Sequence, residues 1–240
     1  MTPLVLVHGF MGGGAQWAEQ VAGFSTDREV IAVDLPGFGA NAHLPVINTI
    51  GGFADWVIAQ LRSKGVDRYH LMGHSMGGMI VQEMARRDAD RIDHLILYAT
   101  GSVGILPGRF ETIAQSKERA LADGAQETAR RIAATWFLER ENAPGYEACA
   151  EIACHSSIEA IVAGLDAMQV WSGEDYLPRI KHKTRIIWGD CDRTYAWAQI
   201  NLLWTTIPKA QLAVVPDCAH AVHMEKSLIF NSLVLDFLPD

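Results

Sequence analysis

Short apolar runs rich in β-favouring residues alternate along the chain with stretches whose apolar residues recur at helical spacing. Residues 4–7, 29–33, 69–72, 94–98, 185–188 and 211–215 read as strands. Helical periodicity predicts helices over 15–22, 50–63, 78–87, 196–206 and 226–238. This alternation is the pattern of a mostly parallel sheet with helices on both faces. Residues 101–177 break it: they carry helical segments such as 113–121 and 127–137 and no convincing strand. Over 70 residues is too long for one crossover connection. The pattern therefore predicts an α/β core of residues 1–100 and 178–240, with 101–177 inserted between two core strands as a helical lid over the strand ends.

Bulk properties narrow the class. Hydrophobic residues make up 49% of the 240, enough to bury a sheet on both faces. A net charge of −8 and the lack of a basic stripe argue against nucleic acid, though one or two local arginines would suffice for an anionic substrate. No apolar run approaches the ~20 residues of a membrane span, and the first residues lack a basic leader, so a cytoplasmic protein without a membrane partner is expected. Cys149, Cys154, Cys191 and Cys218 show no metal-binding spacing and are expected as reduced, mostly buried thiols. A Cys191–Cys218 disulfide is the alternative, because both adjoin candidate catalytic loops.

The chemistry concentrates where predicted strands end. Gly73-His74-Ser75-Met76-Gly77 joins a strand to a helix, the setting of a nucleophile elbow, in which a sharp turn lifts a serine hydroxyl clear of the sheet. A Cβ at either flanking glycine would collide across that turn. His8-Gly9-Phe10-Met11-Gly12-Gly13-Gly14 follows the first strand, and its glycines let backbone N–H groups approach a substrate oxygen; with Ser75 as nucleophile, the donors are the N–H groups of Phe10 and Met76. The loop lacks both the Lys-Ser/Thr ending and the glycine spacing of phosphate-binding loops. Trp188-Gly189-Asp190-Cys191-Asp192 offers two acids, and Pro216-Asp217-Cys218-Ala219-His220 a loop histidine. Serine, aspartate, histidine is the chain order of a triad on such a sheet. A hydroxyl of high pKa must pass its proton to an imidazole as it attacks, and a carboxylate must orient that imidazole.

These residues give the chain its resemblance to the α/β-hydrolase superfamily, over essentially its whole length. His8-Gly9-Phe10, Asp34-Leu35-Pro36-Gly37-Phe38-Gly39, the elbow, Gly189-x-x-Asp192 and His220-x-x-His223-x-Glu225 match successive family motifs in order. The resemblance implies Ser75 as nucleophile, Asp192 as orienting acid, His220 as base, Phe10 and Met76 as oxyanion donors, and no cofactor or metal. Because the chain starts close to the His-Gly strand, it also implies that the family's usual two leading strands are absent. Two branches compete. Thr135-Trp136-Phe137, Gly145-Tyr146 and the elbow resemble 3-oxoadipate enol-lactonases and related esterases, whereas Leu203-Trp204 and the stretch from Phe230 to Leu238 resemble meta-cleavage-product hydrolases, which cut carbon–carbon bonds. That second family usually has Asn before the nucleophile and Trp after the catalytic histidine, where this chain has His74 and Ala221.

The expected function is hydrolysis of a small carboxylic ester or lactone through an acyl-enzyme on Ser75. Its rivals are carbon–carbon hydrolysis by the same residues and a non-catalytic receptor using the pocket for a small ligand. Trp136, Phe137 and Trp171, and with them Trp197, are candidate pocket residues, each set against the plainer alternative of core packing. Arg109, Arg119, Arg130 and Arg131 are candidates for holding a substrate carboxylate, against the alternative of a solvated face. His8, His74 and His223 are expected to pack or hydrogen-bond, leaving His220 as base.

Overall fold

The computed structural model describes residues 1–26, 28–108 and 111–239. Its six strands are β1 (Leu4–Val7), β2 (Val30–Val33), β3 (Tyr69–His74), β4 (Ile92–Tyr98), β5 (Lys183–Gly189) and β6 (Gln211–Val215). All pair in parallel, in the order β2-β1-β3-β4-β5-β6. This is the α/β-hydrolase fold. β3 is buried at every position, as a central strand covered on both faces must be, while edge strands β2 and β6 are part-exposed.

Alternation along each strand separates two apolar layers. Val5, Val7, Leu71, Leu95 and Ile186 face α2 (Ile50–Ser63), α3 (Met76–Arg87) and α8 (Trp197–Thr206). Leu4, Leu6, Met72, Ile96 and Ile187 face α1 (Ala18–Phe24) and α10 (Ser227–Phe237). The strand ends that carry the candidate chemistry therefore project from a core fixed on both sides.

Between β4 and β5 lie α4 (Ile113–Asp123), α5 (Ala125–Ala134), α6 (Tyr146–Ala153) and α7 (Ile158–Gln169). An antiparallel bridge between Val103 and Ser172 pinches this insertion at its neck, with Gly173 N–H donating to Ser102 O at 2.8 Å and Gly104 N–H to Trp171 O at 3.0 Å. α4 starts on a capping box built by Thr112 and Gln115, which satisfies otherwise orphaned N–H groups. The helix expected over 127–137 ends early, at Ala134. Local bonds begin the turn, Thr135 N–H to Ile132 O at 3.0 Å and Trp136 N–H to Ala133 O at 3.1 Å. Partners from the core loops then capture the carbonyls beyond it.

The insertion packs directly on the loops after β1 and β2. A Cβ on Gly164 of α7 would lie 2.7 Å from the Phe10 ring, one on Gly13 2.9 Å from Ile152 of α6, and one on Gly37 2.9 Å from Ala160 of α7. Among the described residues no single helix is long and apolar enough to cross a membrane. All four cysteines are free thiols. Cys191 and Cys218 are neighbours through a backbone hydrogen bond of 3.0 Å, without the disulfide considered above.

Candidate active site

Ser75 stands between β3 and α3 with φ 56° and ψ −119°, a conformation that non-glycine residues adopt only where their surroundings enforce it. The enforcement is visible. A Cβ on Gly73 would sit 2.3 Å from Gly77 O, and one on Gly77 2.3 Å from Val7 O, so the turn closes at this radius only with glycine at both flanks. Ser75 N–H donates to Tyr98 O at 3.0 Å, and its carbonyl accepts from the Thr100 hydroxyl at 2.7 Å and Gly78 N–H at 2.9 Å. The serine is therefore pinned through its backbone, leaving its hydroxyl outside that bonding.

His220 is fixed from several directions. Its Nδ1–H donates to Asp192 Oδ2 at 2.9 Å, and the two side chains are almost wholly buried, 1% and 0% exposed. Asp192 Oδ1 accepts from the N–H groups of Thr194 at 2.7 Å and Tyr195 at 3.2 Å, which sets the carboxylate plane. Asp190, the other acid of that loop, is exposed. The His220 carbonyl accepts from the Tyr98 hydroxyl at 2.9 Å and from His74 Nε2–H at 3.2 Å. The Tyr195 ring stacks on the imidazole with centroids 5.7 Å apart. The neighbour of Ser75, His74, has its ring centroid 4.5 Å from that of His220, so elbow and histidine loop meet directly.

The other three histidines around Ser75 are scaffold. His8 Nε2 accepts from Leu35 N–H at 3.0 Å while Nδ1–H donates to Gly9 O at 2.8 Å, an arrangement that only the neutral ring satisfies. Burial holds its pKa down at about 4. His223 lies against Trp17 at 4.6 Å and its Nδ1 meets the Tyr98 hydroxyl at 3.0 Å; burial, reinforced by the charge of His220, holds it down at about 3. Burial also lowers His74 well below the usual imidazole range, with His220 and His223 adding to the effect. All three rings are held in the neutral form, with a proton affinity below that of an ordinary imidazole.

Gly9 brings the loop after β1 against the elbow: a Cβ there would lie 2.9 Å from the Ser75 Cβ. Asp34 ties that loop to the next, its Oδ1 accepting from Gly14 N–H at 2.8 Å and Ala40 N–H at 3.1 Å. The N–H groups of Phe10 and Met76 have no protein acceptor among the described residues.

The aromatic candidates part company. The Trp136 ring lies 6.4 Å from that of His220. Phe137 is fully buried in the insertion, against Gly145. The Trp171 indole N–H donates to Glu83 Oε1 at 3.1 Å, two turns along α3 from the elbow. Trp197 is 47% exposed and lies near Trp188 and Trp204. The arginines pair with carboxylates of the insertion itself: Arg119 with Glu111 and Asp123, Arg130 with Glu147, Arg131 with Asp123. Arg109 lies outside the described residues. Tyr195, Tyr98 and Trp17 are supports that sequence reasoning missed, and Asp34 stood in a recognised motif without a role; Tyr195, three residues past Asp192, had position as its one signal.

A surface depression of about 1010 Å³ lies at the opposite, amino-terminal edge of the sheet, lined by Arg68, His70, His94 and Lys183 among others. It holds none of these groups.

Comparisons with known proteins bear on the fold and the family. A family model described as the alpha/beta hydrolase fold matches residues 2–227. A dihydrolipoyllysine-residue acetyltransferase component of an acetoin cleaving system from Pseudomonas putida is 27% identical over 99% of this chain, which spans 63% of that relative. A protein of Pseudomonas savastanoi pv. phaseolicola assigned by name to carbamate hydrolysis, RutD, is 26% identical over 98% of the chain and 93% of its own length. The 2-hydroxy-6-oxo-6-phenylhexa-2,4-dienoate hydrolase of Comamonas testosteroni is 27% identical over 98% of the chain and 87% of its own. Among solved structures, the enol-lactonase of Burkholderia xenovorans superposes with a TM-score of 0.89 at 25% identity, covering 100% of this chain and 92% of its own. The chain belongs to the alpha/beta hydrolase family.

Proposed function

We propose that this protein is a serine hydrolase of carboxylic esters or lactones, and the observation that carries the reading is the buried Asp192–His220 pair held against the strained elbow of Ser75. His220 Nε2 takes the proton as Ser75 Oγ attacks the acyl carbon. Asp192 holds the ring with Nδ1 protonated and stabilises the imidazolium. The N–H groups of Phe10 and Met76 receive the oxyanion, and preorganised donors of this kind are worth about 3–4 kcal/mol each. His220 then returns its proton to the leaving oxygen, and water, deprotonated by the same ring, clears the acyl-enzyme. The insertion is a lid with Trp136 beside the histidine, excluding solvent and shaping the pocket.

Similarity to an enol-lactonase and to a dienoate hydrolase supports both ester and carbon–carbon chemistry in principle. Two features favour the ester. Carbon–carbon cleavage requires protonation of a substrate carbon and a clamp on anionic oxygens, yet His74, at the position before the nucleophile, is neutral and engaged with the His220 carbonyl. The insertion arginines Arg119, Arg130 and Arg131 each already pair with a carboxylate of the insertion.

The test is turnover of p-nitrophenyl acetate and butyrate and of enol-lactones, beside fluorophosphonate labelling of Ser75 and turnover of a ring-fission dienoate. Ester or lactone turnover with labelled Ser75 is expected. A 100-fold preference for the dienoate, about 2.7 kcal/mol in barrier, would replace the ester reading by the carbon–carbon one. No turnover and no labelling would leave a receptor.

A further inference from the structure

Residues 136–138, just past the end of α5, are hydrogen-bonded to the two loops that carry Asp192 and His220 and to the short helix that follows His220. Ala221 N–H donates to Trp136 O at 2.9 Å. Glu225, at the end of α9 (Val222–Glu225), accepts through Oε1 from Leu138 N–H at 2.6 Å and through Oε2 from Ala219 N–H at 2.7 Å. Arg193, next to Asp192, donates from Nη1 to Phe137 O at 2.8 Å and from Nη2 to Leu138 O at 3.0 Å. Thus both residues flanking His220 and the residue following Asp192 are tied to one short stretch of the insertion. That stretch begins with Trp136, whose ring centroid lies 6.4 Å from that of the imidazole.

Charge makes these bonds more than decoration. A carboxylate accepting from two backbone N–H groups and a guanidinium capping two carbonyls are charge-assisted, roughly twice as strong as neutral hydrogen bonds. Both polar stretches sit where an irregular backbone needs partners: 136–138 has left the helix, and 219–221 is the loop after β6.

We infer that Glu225 and Arg193 are positioning residues, a clamp that sets the seat of Trp136 beside His220 and the placement of the His220 loop as one unit, so that acyl-group selection and catalytic geometry are coupled. The inference deepens the ester-hydrolase reading and rests on it for its kinetic consequences. Neither residue touches the reacting atoms. With the clamp intact, removing Trp136 changes which acyl groups fit. With it released, the Trp136 ring no longer holds a fixed place, and its removal matters little.

The clamp is tested in two measurements on the full chain. The first is amide hydrogen exchange at Leu138 and Ala219 in wild type, Glu225→Gln and Arg193→Met, which does not depend on activity. Faster exchange at both amides in Glu225→Gln, and at Leu138 in Arg193→Met, with the core strands unchanged, is expected; exchange as in wild type overturns the clamp. The second is a double-mutant cycle of Trp136→Ala with Glu225→Gln, reading the ratio of kcat/KM for butyrate and acetate esters. A selectivity change of about 10-fold for Trp136→Ala alone is expected to shrink to less than about twofold in the Glu225→Gln background, while Glu225→Asp restores part of it. Independent, multiplicative effects would reduce Glu225 to a purely structural residue. Should wild type hydrolyse no ester, the hydrolase reading fails there, and hydrogen exchange still decides the clamp.

Discussion

The loops that end the strands and the helical insertion above them are built on opposite logic. In the loops the polar groups are held by specific partners: Asp192 uses both oxygens, the His220 carbonyl accepts twice, and Ser75 is bonded through N–H and C=O. In the insertion the helices present mainly small buried residues, Ala129, Ala133, Ala150, Ala153, Ala160 and Ala163, and their charged groups pair outward. One region fixes atoms, and the other fills space. Catalytic steps should therefore be sensitive to single atoms in the loops, and substrate choice to volume in the insertion.

The largest effect expected tests the first half of that contrast. Ser75→Ala should lower kcat by about 10⁴–10⁶ with the thermal transition unchanged, because no neighbouring group replaces the hydroxyl as acyl acceptor. Retention of more than about a tenth of the wild-type rate would remove Ser75 from the role. Next, Asp192→Asn should cost on the order of 10⁴ in kcat by favouring the wrong imidazole tautomer, whereas Asp190→Asn, at an exposed position, should stay within about threefold, as surface changes do. Equal losses in the two variants would break the assignment.

The different legibility of the two regions in the sequence has the same origin. The elbow was readable because a backbone requirement, glycine at 73 and 77 around a left-handed Ser75, leaves few residue choices. The register of Gly189 and Asp192 was readable for a similar reason: the chain turns as soon as β5 ends, with Asp192 N–H bonded to Gly189 O. Trp136, Phe137 and Trp171 have no such local constraint. Helical spacing alone does not say that Phe137 turns into the insertion's interior or that Trp171 reaches Glu83 across the neck. The end of α5 was misplaced by three residues because its stop is made by Ala221, Glu225 and Arg193, far along the chain.

The second half of the contrast is sharpened by a pair of tryptophans. Trp136→Ala should change relative kcat/KM among esters by roughly 1–3 kcal/mol, since its ring borders His220. Trp171→Ala should lower all substrates alike or none, and its cost should appear as stability, because it removes the donor from a Glu83 carboxylate on a residue only 8% exposed. A substrate-dependent effect at Trp171 would place it in the pocket after all.

The smallest effect concerns the scaffold beneath the loops. His223 is neutral in the folded chain down to about pH 3, because burial and the charge of His220 disfavour its protonated form. In the unfolded chain a histidine takes up its proton near pH 6.5. Between those values the unfolded state binds the extra proton, so stability rises with pH and is lost as pH falls below about 6.5. Each such group contributes about 1.4 kcal/mol per pH unit within its window, and His8, held down at about 4, adds its share over the upper part of the range. Glutamine at 223 supplies polar atoms without titrating. His223→Gln should therefore flatten the dependence of unfolding free energy on pH between 6 and 4 by about 1.4 kcal/mol per unit, whatever its offset in absolute stability. Urea unfolding at pH 6.0, 5.0 and 4.0 in both proteins measures that slope directly. Parallel curves would mean that His223 is charged in the fold, and with it that the layer under His220 is far more polar than its Trp17 and Phe230 surroundings imply.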